Sequence, residues 1–191
     1  MTYQTVVTAK DSELPVTLAQ AKDHLRILND DLDVEIQAAL EAAIDYCEAT
    51  SGRALRISHT LTQKYRNWPC DPIRFDRQPV KSITSVTYYD EAGASQTVAS
   101  SNYRLQPSTN AGAVLEWDDD FTQPGLDDRD DAVTITYVAG YTDIASVPAL
   151  AKYAIKLKLR EIFGDLNERE YAATQRSCDD LLRMIDWGCY R

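Results

Sequence analysis

The chain has 191 residues, 44% of them hydrophobic, which is enough apolar material for a packed core in one domain or one domain with an insertion. Its 30 Asp and Glu outnumber 20 Lys and Arg for a net charge of −10, a balance that disfavours a tight grip on the nucleic-acid backbone. No run of about 18 apolar residues occurs, and the opening MTYQTVVTAKDSELP lacks the basic start and apolar core of a signal peptide, so a cytoplasmic protein without a membrane span is expected.

The first helical pattern lies in PVTLAQAKDHLRI. Thr17 precedes an apolar-periodic run and is a candidate N-cap, with Leu18, Ala21, Leu25 and Leu28 at helical spacing over about three turns. After an acidic turn, Asn29 or Asp30 is a candidate cap for a second, longer helix of about five to six turns. Its stripe is Leu32, Ile36, Leu40, Ala43 and Cys47, with Asp33, Glu35, Glu41 and Asp45 facing away. Gly52 stands where a helix end needs a residue that tolerates positive φ.

From Arg56 to Tyr141 the helical period gives way to short runs rich in Val, Ile, Thr and Tyr, separated by Pro, Gly, Asp and Asn. ISHTLTQKYRNW places Ile57, His59, Leu61, Gln63 and Tyr65 on one face of a strand. KSITSVTYYD and SQTVA flank a DEAGA turn, and YRLQ, AVLEW and AVTITYVAGY supply further strands of a small antiparallel sheet or sandwich.

Between AVLEW and AVTITY runs an acidic loop with Asp118, Asp119, Asp120, Asp127, Asp128, Asp130 and Asp131. Clustered carboxylates suit a hard cation. Here, however, the Gly and Glu offsets of an EF-hand loop are missing, so a solvated hairpin tip is the expected reading. Arg129 alone softens the self-repulsion only modestly.

Helical spacing returns in PALAKYAIKLKLREIFG. Ser146 and Pro148 form a start signal, Leu150, Ala154, Leu157 and Phe163 an apolar set, and Gly164 a stop. A last helix is expected from Glu168 to Ile185, carrying Tyr171, Thr174, Cys178, Leu181, Leu182 and Ile185. Neither end of the chain can bury its own stripes alone. The expected fold is therefore α+β and mainly a helical bundle of the N- and C-terminal helices, residues 1–55 and 142–191, with a small antiparallel β region inserted at 56–141.

No nucleophile with a base, phosphate cradle or metal cluster is legible, and neither a catalytic residue, a cofactor nor a metal is expected. His24 and His59 have no Ser or Cys motif beside them, and structural roles are expected for both. Cys47, Cys70, Cys178 and Cys189 contain no CxxC pair and read as plain thiols. Trp68, Tyr88, Tyr89, Tyr103, Trp117, Tyr137 and Tyr141 have largely acidic neighbours, which favours strand packing or a protein interface over base stacking.

Taken together, PVTLAQAKDHLRI, DDLDVEIQAALEAAIDYCEATSGRAL, KSITSVTYYDEAGASQTV with YRL after it, and AVTITYVAGYTDIASVPALAKYAIKLKL resemble the head-tail connector (adaptor, head-completion) proteins of tailed phages and prophages. The resemblance spans almost the whole chain through order and spacing. It implies a non-enzymatic subunit that joins a ring, dodecameric in the virion, between the portal protein and a tail-completion protein. Such a subunit is made in the host cytoplasm and ends in the virion neck. The chain departs from the pattern in its short ending, DWGCYR.

A ring needs two different faces on one chain. The acidic candidate is Glu35, Glu41 and Asp45 on the second helix, and the basic one Lys152, Lys156, Lys158 and Arg160 on the third. Pairing of these charges within one subunit is the competing reading. At the level of function, the alternatives are a nucleic-acid-binding module, disfavoured by charge, and a small metal-dependent hydrolase, disfavoured by ligand spacing.

Overall fold

The computed structural model describes residues 3–10, 13–107, 112–164 and 166–186. Its backbone divides into two compact units, Met1–Lys10 with Ser58–Gly140 and Asp11–Ile57 with Tyr141–Arg191.

The first unit is built on an antiparallel sheet in the order β1-β2-β8-β4-β5, formed by β1 (Tyr3–Lys10), β2 (His59–Tyr65), β8 (Val133–Ala139), β4 (Val80–Tyr89) and β5 (Ser95–Thr97). Alternation decides what it buries. His59, Leu61, Gln63 and Tyr65 of β2 point inward and pair with Ala139, Tyr137, Ile135 and Val133 of β8, which also point inward. Gln63 is a fully buried polar member of this face, and its amide donates to the Arg74 carbonyl at 3.5 Å.

A second sheet, β3-β7-β6, joins β3 (Ile73–Arg74), β7 (Val114–Trp117) and β6 (Tyr103–Gln106). At the tip between β4 and β5, Asp90 Oδ1 accepts from the Ala92 and Ala94 amides at 3.1 and 2.9 Å. Gly93 there has φ 75°, a conformation that favours glycine.

The second unit holds α1 (Leu18–Leu25), α2 (Asp33–Ser51), α3 (Ala149–Phe163) and α4 (Glu168–Ile185). Thr17 caps α1 in a reciprocal box with Gln20, and Asn167 caps α4 in the same way with Glu170. Gly52, at φ 66°, ends α2. Just beyond it, buried Glu48 accepts from the Leu55 and Arg56 amides at 2.7 and 3.1 Å and holds the chain as it leaves the helix. The core joins Ile36, Leu40, Ala43, Ile44 and Cys47 of α2 to Ala151, Ala154, Ile155 and Leu159 of α3 and Cys178, Leu182 and Ile185 of α4.

The expected mainly helical bundle is overturned. Among the described residues 36% are helix and 26% strand, in four helices and two antiparallel sheets of eight strands. The helical periods at both ends are present, but they account for only part of a mixed fold. The opening segment YQTVVTAK is strand β1, paired along its length with β2, so residues 3–10 belong with the sheet and not with a helical stretch 1–55. A β-branched octapeptide has no helical period to reveal it, and its partner lies far along the chain.

Smaller differences are local. Arg26 takes a left-handed conformation, φ 59°, and ends α1 after eight residues, which leaves Leu28 94% exposed. Leu32, and not Asn29 or Asp30, is the N-cap of α2 and makes no side-chain cap bond. Pro148 occupies that position in α3, while Ser146 donates its hydroxyl and amide to Asp143 Oδ1 in the preceding turn, both at 2.7 Å. The ending after Asp186, Cys189 included, lies outside the described residues.

Candidate functional site

The candidate acidic face lies on α2. Glu35 is exposed, Glu41 is exposed and accepts from the Gln37 amide at 2.9 Å, and Asp45 pairs with Arg56 at 3.3 Å within the same unit. On α3, Arg160 is exposed and Lys152 and Lys156 are half-buried.

Lys158 points a different way. Its ammonium lies 2.6 Å from Glu161 and 3.8 Å from the centre of the Tyr46 ring, and the Tyr46 hydroxyl donates to Asp179 of α4 at 3.1 Å. Burial pulls the Lys158 pKa down, but the bond to Glu161 and that carboxylate's charge outweigh it, and the net direction is upward. Lys158 is thus a link in a chain of polar contacts across α2, α3 and α4, at the side of the helix opposite Lys156.

His24 of α1 lies near the basic face. Its pKa is lowered, first by burial and then by the charges of Lys156 and Arg160. It therefore stays neutral at neutral pH and adds no charge to that face.

The acidic loop is partly neutralised by cations. Arg66 reaches Asp128 at 2.6 Å and Asp130 at 3.3 Å, Arg129 reaches Asp131 at 2.5 Å, and Lys64 lies 3.7 Å from Asp131. Hydrogen bonding from Arg129 is the largest cause of a lowered pKa at Asp131. The Arg129 guanidinium also covers the Tyr89 ring at 3.7 Å, and the Asp127 amide donates to the Tyr89 carbonyl at 3.1 Å. Asp118, Asp119 and Asp120 are exposed, and Asp118 Oδ1 accepts from the Asp120 amide at 3.1 Å. Among the described residues, no group of three or more His, Cys, Asp or Glu is placed to hold a metal ion.

Arg66 and Lys64 were not legible as partners of the loop, because both lie more than fifty residues before it in sequence. The aromatic residues pack on one another. Trp68 sits 5.3, 5.5 and 5.6 Å from the rings of Tyr88, Trp117 and Phe121, with its indole N–H on the Pro124 carbonyl at 2.8 Å. Cys47 and Cys178 are buried free thiols of the helical core; a hydrogen bond between them, with burial, pushes Cys47 up, while the bond it gives pulls Cys178 down. Cys70 is an exposed free thiol.

The overall arrangement of elements has counterparts among solved structures. One is a chain in the neck of a native gene transfer agent particle computed with C12 symmetry, matched at a TM-score of 0.67 and 21% identity over 93% of this chain and 94% of that one. The fold is that of a chain in a gene-transfer-agent neck. Two further counterparts agree: a chain of the native particle's virion, with TM-score 0.69 and 22% identity over 90% of this chain and 93% of that one, and a chain in the neck of the empty particle computed with C6 symmetry, with TM-score 0.69 and 22% identity over 88% and 86%. No family model matches the chain. No curated protein matches it.

Proposed function

We propose that this chain is a structural connector subunit of a phage-like particle, forming a ring in the neck between a portal protein and the tail-completion protein while DNA passes through. The observation that carries this reading is the fold shared over 93% of the chain with a chain of a neck computed with C12 symmetry. The connector-like order of sequence segments supports it independently, and a twelve-copy ring follows from the same reading. The role is mechanical and not catalytic: charges on the helices are available for subunit contacts, and the acidic loop is tied by arginine and lysine.

The net charge of −10 fits a wall that DNA slides past, since an acidic lumen repels phosphate and does not hold it. Such a subunit is made in the host cytoplasm and ends in the neck.

Native mass spectrometry with and without the cognate portal ring tests this. The expected result is a closed oligomer of the chain, formed alone or on the portal. A chain that stays monomeric under both conditions and fails to bind the portal overturns the reading.

A further inference from the structure

On α2, Val34, Ala38, Glu41 and Asp45 follow one another at i, i+4, i+7 and i+11, forming a stripe on the side away from buried Ile36, Leu40, Ala43 and Ile44. All four are exposed, Val34 by 79%. On α3, Ala149, Tyr153, Lys156 and Arg160 repeat the same spacing on the side away from buried Ala151, Ala154, Ile155 and Leu159. Tyr153 is 52% exposed. Both stripes are apolar toward the helix N-terminus and charged toward the C-terminus, with opposite sign.

The two stripes complement each other in one orientation. Set side by side and parallel, Val34 meets Ala149 and Tyr153 meets Ala38, so each large side chain faces a small one, while Glu41 meets Lys156 and Asp45 meets Arg160. Antiparallel, Val34 would face Arg160, Ala38 would face Lys156, and Glu41 would face Tyr153, which leaves each charge against an apolar group. Aligned helix dipoles oppose the parallel arrangement, but cations near the acidic C-terminal half of α2 relieve an unfavourable placement within that helix.

We propose that the α2 stripe of one copy docks in parallel on the α3 stripe of the next, with Val34 and Ala38 against Ala149 and Tyr153 and Glu41 against Lys156. The inference rests on the connector reading and names its subunit contact. Because the two faces differ, the contact is head-to-tail, the kind that closes a ring. Asp45 already has Arg56 at 3.3 Å and shares its carboxylate with Arg160, so the Glu41–Lys156 pair carries the charge register. Lys158 takes no part, being held by Glu161.

Charge swaps read by native mass spectrometry on the portal ring are the test. Glu41→Lys and Lys156→Glu are each expected to reduce ring formation about tenfold or more, with the monomer's melting temperature unchanged, and the two together in one chain to restore it. Val34→Asp, at a position that supports nothing inside the monomer, is expected to abolish the ring in the same way. A benzophenone amino acid in place of Val34 is expected to cross-link near Ala149 of the neighbouring copy. Rings that form undiminished in both Glu41→Lys and Val34→Asp overturn this contact alone, and a cross-link near Arg160 overturns its orientation. A wild-type chain that forms no ring overturns the contact, and one that also fails to bind the portal overturns the connector reading with it.

Discussion

The helical and sheet units each place lysine or arginine beside carboxylates, in opposite surroundings. In the helical unit, Lys158 and Glu161 meet with 11% and 4% of their side chains exposed, under the ring of Tyr46. In the sheet unit, Arg66 meets Asp128 and Asp130 with 57%, 87% and 93% exposed. Water screens the second set and hardly reaches the first. The same pairing chemistry is therefore a structural tie in one place and a modest restraint on a loop in the other.

The contrast between the two settings is largest at Lys158. Replacing it with Ala leaves Glu161 buried without its cation, and one Glu161 oxygen already has no partner among the described residues. The expected loss is about 3 to 5 kcal/mol in a urea melt. Lys156→Glu, on the opposite side of the same helix, is expected to leave the melt nearly unchanged. If both changes cost the same, the distinction between the two faces of α3 fails.

Leu40→Ala measures the apolar part of the same interior. Leu40 is fully buried between α2 and its neighbours, and its truncation is expected to cost about 2 to 5 kcal/mol. A loss below about 0.5 kcal/mol would remove Leu40 from the core.

His24 makes the helical unit sensitive to pH. Its pKa is lowered from 6.5 in the folded chain by burial and by Lys156 and Arg160, so the unfolded chain binds the proton more readily. Its contribution to stability is complete above the unfolded value and is lost as pH falls from about 6.5 through the lowered folded value. His24→Gln is expected to flatten the acid side of the melting-temperature profile over that window. An unchanged profile would show that neither burial nor the basic face shifts His24.

At the exposed end, Arg66→Ala is expected to lower the melting temperature slightly at low salt and not at all at high salt. A salt-independent loss would mean that the loop is held more firmly than its exposure allows. The smallest effect is expected from calcium: melts in chelator and in added calcium should coincide. A rise with calcium that disappears in Asp118→Asn or Asp120→Asn would make the loop a cation site.

Elements whose signals lie within a few residues follow from the sequence alone. These include the Thr17 cap, the Gly52 stop, the last helix from Glu168 to Ile185, the inward alternation of His59, Leu61, Gln63 and Tyr65, and the turn at DEAGA. Each is a local matter of side-chain period, capping or positive φ, and a window of a few residues contains its cause. The tertiary structure decided what depends on distant partners. β1 is a strand because β2, more than fifty residues later, pairs with it. Lys158 turns inward while Lys156 stays near the surface because Tyr46 of α2 and Glu161 receive the first. The carboxylates of the acidic loop are partly neutralised because the sheet brings Arg66 and Lys64 beside them. A charge pattern on a helix gives the face it lies on, and only packing decides whether another element covers that face or water does.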